Sequence, residues 1–92
     1  MSIPVCTGGD APNGASSVTF TNALAVPVTI TSCTIPGWPQ SPAPDPVVPA
    51  ALNGVNGTKT VQLSVLTRTG TYTYVTDPAC NTIGTPPEIK VQ

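Results

Sequence analysis

The chain has 92 residues, 8% of them charged, with a formal net charge of −1, three cysteines and no histidine. At that length it forms one domain, residues 1–92. Proteins ordinarily carry about 25% charged residues, so three scattered cations and the lack of any imidazole remove most acid-base, phosphate-binding and nucleic-acid chemistry.

Strand alternation runs through the chain, and no window shows helical spacing of apolar residues. The first predicted strand is 3–6. A second, 17–22, alternates Val18 and Phe20 with Thr19 and Thr21. The third, 26–33, sets Val26, Val28 and Ile30 on one face and Thr29, Thr31 and Cys33 on the other. A Pro-rich crossover loop, 34–46, follows; its five prolines exclude a central strand and favour extended polyproline geometry. A weak fourth strand at 47–51 reads as an edge. The fifth, 58–66, turns Val61, Leu63 and Val65 inward and Thr60, Gln62 and Ser64 to water. Strands at 70–76 and 88–92 complete seven. Asn13-Gly14, Asn53-Gly54 and Asn56-Gly57 supply the positive φ of tight turns between them. Seven short strands with this punctuation predict an all-β, Greek-key β-sandwich.

Pro and Gly together make 20 of the 92 residues, but Val, Ile, Leu and Phe exceed the fraction below which chains stay disordered, so a packed core is expected. No apolar stretch approaches the ~20 residues of a membrane span. The start, Met1-Ser2-Ile3-Pro4-Val5-Cys6, lacks the basic and apolar regions of a signal peptide.

The segment Gly70-Thr71-Tyr72-Thr73-Tyr74-Val75-Thr76-Asp77-Pro78-Ala79-Cys80, followed by Ile89-Lys90-Val91, resembles the end of a cupredoxin, where a Gly-x-Tyr-x-aromatic strand leads into the copper loop and an Ile-x-Val strand closes the sandwich. Val18-Thr19-Phe20-Thr21-Asn22 resembles that family's second-strand opening. The quoted stretches come to 19 of the 92 residues. The same Gly-x-Tyr strand also fits an immunoglobulin-like sandwich, whose Tyr near the start of the penultimate strand makes a corner hydrogen bond. The resemblance implies a cupredoxin-like or immunoglobulin-like fold without the copper site. By register the copper cysteine would fall at Thr76 and its histidine at Ala79, and a blue-copper centre needs two imidazoles and a thiolate.

If the sandwich runs as in cupredoxins, Cys6, Cys33 and Cys80 lie toward one pole. Two readings follow. A Cys33–Cys80 disulfide would tie the third strand to the loop after the sixth, leaving Cys6 free, buried or paired between subunits. Alternatively, Cys6, Cys33 and Cys80 would hold a soft metal as three thiolates, although their spacing matches no finger, ribbon or knuckle. No cofactor is expected on the first reading.

Asp10, Asp45, Asp77 and Glu88 stand singly in loops and at a strand start, with Asp10 in a Gly-rich turn, so an enzyme is not expected. Three functions remain. The leading one is a non-catalytic structural or binding module that acts through surface contacts with a protein partner or with copies of itself. The second is a metal-binding or electron-transfer protein of cupredoxin descent that uses its thiolates. The third is a carbohydrate-binding module in which Trp38, with Tyr72 or Tyr74, stacks on a glycan; the competing role for Trp38 is a lid on the core. Asn56-Gly57-Thr58 fits a glycosylation sequon but reads first as a hairpin turn. Cysteine usage leans toward an extracytoplasmic or secreted location and the Met1-Ser2 start leans away from it.

Overall fold

A computed structural model of the chain describes residues 2–39, 45–80 and 85–92. Among these are eight strands and no helix: β1 (Ser2–Pro4), β2 (Gly8–Ala11), β3 (Ser17–Asn22), β4 (Val28–Cys33), β5 (Val47–Val48), β6 (Gly57–Gln62), β7 (Gly70–Asp77) and β8 (Glu88–Val91). The fold is all-β. The strands form two packed sheets, ordered β1-β3-β6 and β2-β8-β7-β4-β5. β1 pairs in parallel with β3, whereas β2, a few residues on, pairs in parallel with β8 in the other sheet. One N-terminal segment therefore stitches both sheets together along one side.

Alternation puts every second residue of each strand between the sheets. Phe20 of β3 occupies the centre, edge-on to Tyr74 of β7 at 5.3 Å and to Trp38 at 6.0 Å between ring centroids. These edge-to-face contacts add to the area that the three rings bury. Ile3, Val28, Ile30, Val48 and Ile89 seal the core around them.

Sequence and structure differ at several places, each traceable to particular contacts, and the expected first and fourth strands end early, at Pro4 and Val48. The pair Gly8-Gly9 reads as a turn, yet Gly8 opens β2, so Asp10 lies on a strand. Gly8 sits at φ +76°, and a Cβ there would run into the Glu88 backbone; glycine is what lets β2 approach β8. The third strand begins at Val28 because residues 23–27 turn back on the Asn22 side chain. A bulge between Ile30 and Ser32 then shifts the alternation, so Cys33 turns inward rather than sharing the face of Thr29 and Thr31. Finally, β6 stops at Gln62, where the Leu63 and Ser64 amides bond to Ser16 and Gly37; Leu63 is half-buried and Val65 is exposed. Of the Pro-rich crossover, residues 40–44 lie outside the described residues.

The turns divide similarly. Asn53 and Gly54 both have positive φ, 54° and 78°, as a two-residue hairpin turn requires. Gly57 instead begins β6, and a Cβ on it would meet the Pro49 carbonyl. Past β6, Thr67 is buried and gathers the 12–15 loop. Its hydroxyl donates to Pro12 O at 2.7 Å and accepts from the Ala15 amide at 2.8 Å.

Three of the four sheet edges are blunted. β5 is two residues long between Pro46 and Pro49, and β1 carries Pro4. On β6, Lys59 stands opposite Phe20, which places it on the core-facing side of an outer strand with its charge in water. An inward-pointing lysine at an edge discourages another strand from pairing there.

Candidate functional site

The cysteines are arranged differently from the expected bridge. Cys6 pairs with Cys80, with Cα atoms 5.2 Å apart, and Cys33 is the free, buried one. The expected Cys33–Cys80 pair fails on register. Cys33 stands opposite Tyr74, and β7 continues from there to Asp77 before the chain reaches Cys80. Three residues of strand alone put about 10 Å between them. Cys33 thus lies opposite the middle of β7, whereas the Cys6–Cys80 bridge sits beyond its end, at one pole of the sandwich. The three thiolates are not brought together, which removes the geometry of the alternative metal site; among the described residues no three His, Cys, Asp or Glu side chains cluster as a metal site would need. The bridge fits an oxidising environment.

The three aromatic candidates are also separated by burial. Trp38 is 6% exposed and faces Phe20, and Tyr74 is 1% exposed with its hydroxyl donating to Val5 O at 3.0 Å and Pro4 O at 3.2 Å. Neither presents a ring face to a sugar. Tyr72 is half-buried, and its hydroxyl donates to Arg68 O, 3.0 Å away and four residues upstream.

Burial raises the Cys33 thiol from its ordinary 9.0 to about 11, against a partial lowering by backbone hydrogen bonds from Ile35 and Thr34. Burial likewise pushes the Tyr74 hydroxyl well above its usual value. Both groups are neutral when folded, and their folded pKa values lie above the unfolded ones. The stability Cys33 contributes is therefore complete below pH 9 and is lost as pH climbs toward about 11, whereas that of Tyr74 begins to fall only above its unfolded value of 10.0. Urea midpoints measured from pH 8 to pH 10.5 are expected to fall, more gently in Cys33→Ala, while native Cys33 stays closed to alkylation at pH 8.

The feature the sequence reading missed lies at the disulfide pole. Asn22 ends β3 fully buried. Its Nδ2 donates toward Val26 O at 2.8 Å, Pro49 O at 3.1 Å and Val48 O at 3.4 Å, while Oδ1 accepts from the Leu24 amide at 2.9 Å. One side chain thereby fastens the 23–27 loop to the segment that leaves β5. The Ala51 amide adds a bond to Leu24 O at 2.8 Å, and Leu52 and Val55 exchange backbone bonds of 2.9 and 3.0 Å around the Asn53-Gly54 turn. The result is a braced hairpin whose apolar side chains point outward: Leu52 is 72% exposed and Val55 68%. Val26 and Leu24 continue the patch.

Beside this knob lies a groove of about 290 Å³, walled by Pro4, Val5, Cys6, Thr21, Ala23 and Leu24. Leu24 belongs to both knob and groove, and Asn56 closes the groove's rim. Neither the 22–28 segment nor the 46–57 segment carries an ionisable side chain. The carboxylates are elsewhere. Asp10 and Glu88 share a groove with Lys90 along the β2–β8 pair, and Asp45 faces Lys59 across the gap between β5 and β6.

Compared with models of protein families, with curated proteins and with solved structures, the chain matches none.

Proposed function

We propose that this protein is a non-catalytic β-sandwich, cupredoxin-like or immunoglobulin-like in its chain path, which works outside the cytoplasm by surface contact as a structural or binding module. The observation that carries this reading is the hairpin tip, where Leu52 and Val55 are held outward on a hydrogen-bonded frame. A soluble domain gains nothing for its own stability by bracing apolar side chains in water; such a surface gains free energy only when something covers it. The bond from the Tyr72 hydroxyl to Arg68 O, at the start of the penultimate strand, supports the immunoglobulin-like side of the resemblance. The Cys6–Cys80 pairing supports the extracytoplasmic location.

The reading separates contact residues from folding residues, and this is testable. Leu52→Ser with Val55→Ser is expected to leave the urea midpoint within about 0.5 kcal/mol of the parent, as exposed positions do. The same pair is expected to abolish the binding of a hydrophobic dye to the native protein. A loss of several kcal/mol would make the tip part of the fold and sink the proposal.

A further inference from the structure

We infer that the disulfide pole is a self-complementary docking face, and that its occupant is a second copy of this chain related by a two-fold axis. This inference rests on the surface-contact reading above and names the partner. A two-fold interface requires that one patch carry both a projection and the recess that receives it, because each residue pair occurs twice. Here the Leu52–Val55 tip projects directly beside the Pro4–Ala23 groove, with Leu24 shared by the two. Knob and hole on one pole mean that turning a second copy by half a rotation sets each tip into the other's groove.

Charge is compatible with the same occupant. In a two-fold contact any charge near the axis meets its own copy, which opposes self-pairing. This face avoids that conflict, since neither loop nor any groove residue is ionisable. Three of the four sheet edges are poorer routes to self-association. Lys59 guards the β6 edge, β5 is a short strand between Pro46 and Pro49, and β1 is short and ends at Pro4.

The frame also lowers the cost of docking, because Asn22 and the Ala51–Leu24 bond already hold the tip in one shape. The face is small. The groove has eight lining residues and the Leu52–Val55 tip adds four, against about 20–30 a side in a standard interface, so the dimer is weak and concentration-dependent.

Sedimentation equilibrium from about 5 µM to about 1 mM tests this. A monomer–dimer equilibrium is expected, with Leu52→Asp weakening it at least about tenfold and Leu66→Asp, at the opposite pole, leaving it unchanged. Leu52→Ser, a milder change, is expected to shift it in the same direction. Mixing Leu52→Cys with Ala23→Cys and a short bismaleimide is expected to link the two proteins to each other, as tip to groove. Association that ignores Leu52→Asp, or that is weakened by Leu66→Asp, would overturn the two-fold face while leaving the surface-contact reading intact. A monomer at every concentration would overturn it as well. That reading fails separately if the serine pair at the tip destabilises the fold.

Discussion

Breaking the Cys6–Cys80 bridge, by reduction or by Ser at both positions, is expected to lower the unfolding free energy by about 4 kcal/mol. The two cysteines are 74 residues apart, so the bond closes most of the chain into one loop and removes that much freedom from the unfolded state in the chain-entropy model. A domain of this size has between about 5 and 15 kcal/mol in total. The loss should appear as a fall of about 20 °C in the thermal midpoint. Location gives a second reason to expect a loss of this kind. Cys6 follows Val5, whose carbonyl accepts the Tyr74 hydroxyl, and β1 and β2 on either side of it belong to different sheets. Freed from Cys80, this segment has only three- and four-residue strands to hold it. Thermal melts with and without reductant, with Cys33→Ala as the control in which no bridge is touched, measure the difference. An unchanged midpoint on reduction would show that the strands alone determine the position of the N-terminal segment.

Much of this fold was legible because the physics of a half-buried strand is local. The alternation Val18-Thr19-Phe20-Thr21-Asn22 determined β3 to the residue, and the turn chemistry of Asn53-Gly54 placed the hairpin. What could not be read depends on a partner far along the chain. Gly8 is a strand residue only because Glu88 lies against it, and nothing near Gly8 carries that information. The bulge after Ile30 inserts one residue into β4 and thereby reverses the inward or outward sense of Cys33, and the expected disulfide failed because Cys33 stands opposite Tyr74, well before β7 ends. Leu52 and Val55 were legible as residue types but not as a surface, since their exposure follows from Asn22 turning two separate loops toward one pole.

Asn22→Ala is expected to cost about 3 kcal/mol and to dissolve the docking face along with it. The substitution strands the carbonyls of Val26, Val48 and Pro49 and the amide of Leu24, and each buried group left unpaired costs about 1–3 kcal/mol. Three of these four bonds lie in part-buried positions that water reaches once the loops relax, which keeps the sum near the lower end. Asn22→Asp sharpens the test because it preserves shape. Its carboxylate still accepts from Leu24 but sets a negative oxygen against the Val26 and Pro49 carbonyls, so at neutral pH it should cost at least as much as alanine. Such a carboxyl titrates higher in the folded protein than in the unfolded chain. The stability it retains is full below about pH 4 and lost as pH rises through the folded value. Hydrogen exchange distinguishes a local from a global effect, with Leu24 and Ala51 expected to lose protection first in either variant. If both variants stay within about 0.5 kcal/mol of the parent and those amides remain protected, the hairpin is braced without Asn22. If they behave as expected, one buried amide couples the core to the pole, and the apolar tip is held outward only while β3 is folded.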